Sequence, residues 1–147
     1  MRNLKQLLAY AVKHTARVHQ LDFIGALLQA KVKNMVFVKL DSRYANYSPE
    51  YSNYFGRALI LLKSMYGMNN SGKLFDDELT EWLIDTGFIK YQCQMYIYDK
   101  YAQYVTIRFK YYVDDCVYWY TSEALGKWFV DTLVQRFHVR GYEHWFM

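Results

Sequence analysis

Two adjacent acids, Asp114 and Asp115, constrain the fold of this chain more than any other feature, because they stand between two segments typical of β-strands. Residues 104–111 alternate in character, and residues 116–120 are β-branched and aromatic. A strand, two acids and a second strand predict a hairpin with carboxylates at its tip. Adjacent like charges at a strand end repel each other and lose hydration, so a compensating cation is expected, with a divalent metal ion as the obvious candidate.

The composition is that of a globular protein. The chain has 147 residues, of which 53% are hydrophobic and 22% charged, enough apolar mass for one core. The aromatic content of 20%, with 16 tyrosines, suits a surface that stacks on bases or a decorated sheet, and the net charge of +4 permits a nucleic-acid partner. Cys93 and Cys116 form no CxxC pair, so neither a zinc site nor a disulfide framework is expected. No apolar run approaches the roughly 20 residues that span a membrane.

Strand and helix patterns mix along the chain without regular alternation. Helices are predicted over residues 3–16, from Ser71 to Gly87, and after a cap at Thr121 or Ser122. Strands are predicted at 18–22, 35–40, 58–62, 95–98, 104–113 and 142–147, with a turn at 99–100 and an exposed loop at 41–57. These elements predict an α+β fold in which helices pack on one face of an antiparallel sheet, within a single domain covering residues 1–147.

A third acid, Asp22, ends the strand predicted at 18–22. If that strand neighbours the hairpin in one sheet, three carboxylates meet at one edge and need a partner to remain ionised. Mg²⁺ binds through few carboxylates together with substrate phosphates. Two such ions, about 4 Å apart, activate a hydroxyl and stabilise the leaving oxygen in nucleotidyl transfer. Taken alone, however, an Asp-Asp pair is more often a solvated turn.

Five sequence blocks follow one another along nearly the whole chain. They are residues 4–22 (a predicted helix leading into a strand), DFIGALLQ at 22–29, LKSMYGM at 62–68, YVDD at 112–115 and RGYEHWFM at 140–147. In this order they resemble the reverse transcriptase of copia-type LTR retrotransposons. The resemblance implies a ferredoxin-like polymerase palm with residual fingers elements. It also implies an RNA-directed DNA polymerase that extends a primer by two-metal nucleotidyl transfer during retrotransposition.

The resemblance assigns a role to each matching position. It implies that Asp22, Asp114 and Asp115 are the catalytic acids and that they bind two Mg²⁺ or Mn²⁺ ions together with the carbonyl of Phe23. It implies that the incoming nucleotide contacts Ile24, Gly25, Ala26, Leu27, Asn70, Tyr112 and Val113. It implies that the primer contacts His144, Trp145 and Phe146. Leu27 stands where the family usually has Tyr or Phe, whose ring excludes a ribose 2′-OH.

The implied partners are an RNA or DNA template with a DNA primer, a dNTP, and the integrase and RNase H domains of the parent transposable element, without a membrane. The implied location is the cytoplasm, in the virus-like particle of that element, or the nucleus. Fingers strands expected before residue 1 and a thumb expected after residue 147 lie outside these residues. We therefore expect the 147 residues alone to be inactive or nearly so.

Two other functions remain open. The first is a non-catalytic nucleic-acid-binding module that stacks bases on an open sheet; three acids at one edge disfavour it because they repel phosphate. The second is a decayed, inactive element fragment. The tyrosines between Tyr44 and Tyr54 fit either base stacking or an exposed irregular loop, and Cys116 fits packing within a strand.

Overall fold

The computed structural model describes residues 2–91 and 96–142. The helices are α1 (Arg2–Lys13), α2 (Ala26–Gln29), α3 (Ser71–Asp85) and α4 (Glu123–Arg136). The strands are β1 (Arg17–Phe23), β2 (Phe37–Lys39), β3 (Ala58–Ile60), β4 (Ile89–Lys90), β5 (Ile97–Ala102), β6 (Val105–Tyr112), β7 (Asp115–Tyr120) and β8 (Val139–Tyr142). Two short 3₁₀ helices, Ser42–Asn46 and Pro49–Tyr54, lie between β2 and β3.

Six of these strands form one sheet in the order β4-β5-β6-β7-β1-β8. Every neighbouring pair in it is antiparallel. Strand β1 comes first in the sequence but lies between β7 and β8, so it is the direct neighbour of the predicted hairpin. Strands β2 and β3 form a separate hairpin. The predicted antiparallel sheet is confirmed.

The larger core lies between one face of the sheet and helices α3 and α4. Its fully buried helical members include Leu79 and Leu83 of α3 and Phe129 and Leu133 of α4, each pair one helical turn apart. The sheet contributes every second residue of its strands to this face, among them Ile107, Phe109, Tyr111, Cys116, Tyr118 and Tyr120. This alternation follows from the two-residue period of a strand. Cys116 is buried in this core, as its strand position predicted.

Helix α1 covers the opposite face of the sheet, so the prediction that helices pack on one face only is wrong. Ala11 of α1 is buried with Trp119 of β7, and the Tyr10 ring lies 5.7 Å from the Trp119 ring. Strand β7 is apolar at successive positions, so its second face also needs a cover.

The predicted turn at residues 99–100 is also wrong, because Asp99 and Lys100 lie inside β5. The chain turns instead after Ala102, where Gln103 has a φ of 52°. Asp99 is fully buried, and its strand partner Arg108 donates two hydrogen bonds to it, from Nε at 2.6 Å and from Nη2 at 2.5 Å. The charged pair can be buried because both carboxylate oxygens are satisfied.

Replacing Gly126 tests how tightly α4 packs on the sheet. A Cβ at Gly126 would overlap the Tyr120 ring, whose hydroxyl is bound to His19 and Glu123. We expect Gly126→Ala to lower the free energy of unfolding by about 1–3 kcal/mol, the usual cost of overpacking. Urea denaturation provides the measurement.

The matched control for this substitution is Gly72→Ala on α3, where a Cβ meets no atom within 4 Å. It should leave stability unchanged or raise it by up to about 1 kcal/mol, because alanine favours helix. Equal unfolding midpoints for Gly126→Ala and the unsubstituted chain would contradict the packing described.

Candidate active site

Strand register brings Asp22 beside the acidic hairpin. Asp22 is paired with Asp115 of β7 on one side and with Arg140 of β8 on the other, and Asp115 is paired with Tyr112 of β6. Directly paired residues project from the same face of a sheet. These four residues therefore form one row across four strands, which we call the carboxylate row.

Asp114 is held next to this row by the turn that it occupies with Val113. Val113 has a φ of 56°, a left-handed conformation that β-branched residues rarely adopt. The carbonyl of Asp114 accepts a hydrogen bond of 2.8 Å from the N–H of Phe23, the residue after Asp22. The turn is thus fastened to the end of β1, and the three acids of the sequence prediction come together at one edge of the sheet.

The carboxylate row contains two acids that repel each other and one cation that offsets the repulsion. Asp22 and Asp115 are like charges at directly opposite positions, an arrangement that destabilises a sheet. The Nε of Arg140 donates to Oδ2 of Asp22 at 2.7 Å. The Asp22 side chain is 14% exposed and that of Arg140 is 62% exposed, so the ion pair lies at the rim of the protein. Arg140 offsets the repulsion in this structure.

The residues of the row have the chemistry of a magnesium site but are not arranged as one here. Carboxylate oxygens are the ligands that Mg²⁺ prefers. Within residues 2–91 and 96–142, no group of three or more His, Cys, Asp or Glu side chains is positioned to hold an ion. Asp22 is instead engaged by Arg140. An ion on Asp22 would therefore have to displace or share that contact.

A cleft of about 220 Å³ opens beside the hairpin turn. It is lined by Leu27, Gly72, Phe75, Asp76, Tyr96, Tyr111, Tyr112 and Val113. The cleft brings together three of the seven residues predicted to contact a nucleotide, namely Leu27, Tyr112 and Val113. The start of α3 contributes Phe75 and Asp76, which the sequence analysis did not identify because they read as an ordinary amphipathic helix.

One of three comparisons with known proteins found a match. Residues 1–144 match the family model described as reverse transcriptase (RNA-dependent DNA polymerase). The chain belongs to this reverse transcriptase family. No curated protein and no solved structure matches it. Among the residues described, no helix is long and apolar enough to cross a membrane.

In this reverse transcriptase domain a backbone hydrogen bond closes the turn after Asp22. The N–H of Ile24, one of the residues predicted to contact the nucleotide, donates to the carbonyl of His138 at 2.9 Å. That amide is therefore occupied within the protein. Gly25 adopts a left-handed φ of 60° where α2 begins, and Ala26 is buried at the first helical position. Their predicted contacts with the nucleotide remain predictions.

The Gln29 side chain joins the end of β1, the strand that carries Asp22, to the start of β8, a role that sequence reasoning missed. Its Nε2 donates to the carbonyls of Ile24, at 2.9 Å, and of His138, at 2.8 Å. Its Oε1 accepts the N–H of His138 at 2.7 Å. One amide thus links the turn after β1 to the residue before β8, and no local pattern marks a glutamine for such a role.

The block at residues 62–68 is hydrogen-bonded to the backbone of Leu27 and of Ala30. Ser64 is 2% exposed, its hydroxyl donates to the carbonyl of Leu27, and its N–H donates to the carbonyl of Ala30 at 2.8 Å. The block therefore fixes α2, on which Leu27 lies. Asn70 is exposed at the start of α3 and is not among the residues that line the cleft.

The residues predicted to contact the primer, His144, Trp145 and Phe146, lie outside the described part of the chain. Their assignment remains a prediction from the resemblance.

Replacing Gln29 tests whether its amide secures the turn after Asp22. We expect Gln29→Ala to lower the free energy of unfolding by about 1 kcal/mol, the usual net value for partly exposed hydrogen bonds. It should also speed hydrogen exchange at the amides of Ile24 and His138, which NMR measures residue by residue.

Gln103→Ala is the matched control, because Gln103 is exposed in the β5–β6 turn. It should leave both amides unchanged. Unaltered exchange at Ile24 and His138 in Gln29→Ala would refute the proposed link.

Proposed function

We propose that this chain is the palm of an RNA-directed DNA polymerase from a copia-type retrotransposon and that it serves primer extension by two-metal nucleotidyl transfer. The observation that carries the proposal is the carboxylate row, in which Asp22 is in register with Asp115, together with the adjacent turn, in which the Asp114 carbonyl is bonded to the N–H of Phe23. A sheet rarely keeps two acids directly opposite each other without a use for their charge.

The order of the elements supports a ferredoxin-like palm. The chain runs β1, α3, β6, β7, α4, β8, which is a βαββαβ sequence once helices α1 and α2 and strands β2 to β5 are set aside. In the sheet these strands lie in the order β8-β1-β7-β6. Both helices contribute to the larger core, on the face opposite the carboxylate row. This order and packing support the proposal, because ferredoxin-like domains have a split βαβ arrangement.

The chemistry proposed for the row is that of a two-metal polymerase. Asp22, Asp114, Asp115 and the carbonyl of Phe23 would hold two Mg²⁺ or Mn²⁺ ions. Bound there, the ions would activate the primer hydroxyl and stabilise the leaving oxygen. Arg140 keeps the Asp22 carboxylate oriented and compensated through its 2.7 Å contact, and the bond from Phe23 keeps the turn closed over the end of β1.

The nucleotide would occupy the cleft beside the turn. Tyr112 and Val113 line its hairpin side, and Leu27 lines the side formed by α2. Leu27 gives an aliphatic surface where the family usually has an aromatic ring, so any exclusion of a 2′-OH would rest on the bulk of Leu27 alone. The partners of the proposed enzyme are an RNA or DNA template with a DNA primer, a dNTP, and the integrase and RNase H domains of its element. Its proposed place of action is the cytoplasmic particle of that element, or the nucleus.

A non-catalytic nucleic-acid-binding role is the second candidate. The contact between Arg140 and Asp22 favours this binding role, because the Arg140 guanidinium is bonded to the carboxylate that a metal ion would need as a ligand. The two candidates differ in whether the row binds a divalent ion.

A measurement of Mn²⁺ binding distinguishes the two candidate functions. Electron paramagnetic resonance of the free Mn²⁺ ion provides it. We expect Asp22→Asn and Asp114→Asn each to weaken binding about tenfold or more, since loss of even an indirect partner of a metal has an effect of that order. Arg140→Ala should strengthen binding, because it removes the competing cation. Neither Asn substitution should reduce folding stability, because each relieves repulsion.

The matched control for manganese binding is Asp131→Asn, since Asp131 lies on α4 in an ion pair with Lys127. It should leave the affinity unchanged. Equal affinities in all four variants would exclude the row as the metal site. Primer extension on an RNA template tests the activity itself and needs the chain joined to fingers and thumb segments, because the 147 residues alone are expected to be nearly inactive. Extension that survives Asp114→Asn in that longer protein would contradict the assigned catalytic role.

A further inference from the structure

The excess positive charge of the chain is confined to one segment. Residues 31–63 hold six Lys and Arg residues against Asp41 and Glu50, so their net charge of +4 equals that of the whole chain. The remaining residues hold equal numbers of acids and bases. This segment contains the separate hairpin β2–β3 and the two 3₁₀ helices between its strands. A polyanion would therefore be attracted to this part of the surface.

The same segment exposes aromatic rings around a cleft. Leu40, Arg43, Tyr44, Tyr47 and Tyr51 line a cleft of about 690 Å³, which we call the tyrosine cleft. Tyr47 is 82% exposed, Tyr44 47% and Tyr51 40%. The ring centroids of Tyr44 and Tyr47 lie 6.0 Å apart. These rings contribute little to the core, in contrast to Tyr98, Tyr111 and Tyr118, which are buried in it.

Charges at the loop end of the β2–β3 hairpin complement the rings. Lys39 ends β2 and is paired with Ala58 of β3, which directly follows Arg57. Both cations are exposed, and no ion pair is recorded for either within residues 2–91 and 96–142. Arg43 differs, since Asp41 accepts hydrogen bonds from its Nε at 2.9 Å and from its Nη2 at 3.2 Å. That contact holds the Arg43 guanidinium in place and lowers the pKa of the Asp41 carboxyl.

We propose that the tyrosine cleft binds single-stranded nucleic acid independently of catalysis. Unpaired bases stack on Tyr44, Tyr47 and Tyr51, and the phosphates contact Lys39 and Arg57. Single strands fit better than a duplex, because the bases of a duplex are stacked on each other and cannot lie on protein rings. Stacking with phosphate contacts predicts binding that is salt-dependent and tolerant of sequence.

Fluorescence anisotropy with a labelled 20-nucleotide oligo(dT) tests the proposal, in EDTA so that no divalent ion takes part. We expect the chain to bind this strand more tightly than a blunt duplex of equal length. Tyr44→Ala and Tyr47→Ala should each weaken binding about tenfold, the usual effect of losing one stacking ring. Tyr47→Phe keeps the ring and should retain affinity.

Tyr104→Ala is the matched control, because Tyr104 is 100% exposed in the β5–β6 turn, far along the chain from the tyrosine cleft. It should leave binding unchanged. Lys39→Ala and Arg57→Ala should each make the slope of log affinity against log salt concentration shallower by about 1, the effect of losing one phosphate contact. Circular dichroism establishes that each variant is folded.

The outcomes separate this proposal from that of the polymerase. Equal affinity for duplex and single strand, or equal affinity of Tyr47→Ala and Tyr104→Ala, would overturn the tyrosine cleft as a stacking site. Retained oligonucleotide binding together with absent Mn²⁺ binding would refute the catalytic proposal and leave the tyrosine cleft standing.

Discussion

The pairing of β1 with β7 is the interaction on which the rest of this structure depends. Its register is set by burial, because Leu21 of β1 and its partner Cys116 both face the larger core. A shift of one residue would turn the core residues outward, so the register is strongly fixed. The same register forces Asp22 against Asp115. Hydrophobic burial thus holds two like charges together, and Arg140 offsets the electrostatic cost.

The sheet is covered differently at its two ends, and this difference leaves the acids accessible. At one end α1 buries Trp119 on the face opposite the larger core. At the other end of β7, on that same face, Asp115 is exposed beside Tyr112. The buried pair of Asp99 and Arg108 extends the covered part of the face into β5. The sheet is therefore buried on both faces at one end and exposes charged side chains at the other. Such an arrangement is suited to holding catalytic side chains in fixed positions.

Local pattern was sufficient for the hairpin and for helices α3 and α4, because their alternating and helical periods are strong. It failed where burial depends on distant partners. Asp99 was taken for a turn residue, since nothing near it in sequence reveals that Arg108 satisfies its charge. The second buried face of β7 was missed because one strand cannot reveal what covers it. The link made by Gln29 joins residues 109 positions apart and leaves no sequence signal.

The convergence of Asp22 with the hairpin came from the order of family blocks, which strand patterns alone could not supply. Whether that convergence binds metal is the central claim, and paramagnetic broadening by Mn²⁺ in two-dimensional NMR spectra of the labelled chain tests it most directly. The account predicts selective loss of the amide signals of Phe23, Asp114 and Asp115, with those of Tyr44 and Tyr104 retained. Broadening centred elsewhere, or none at saturating Mn²⁺, would contradict it.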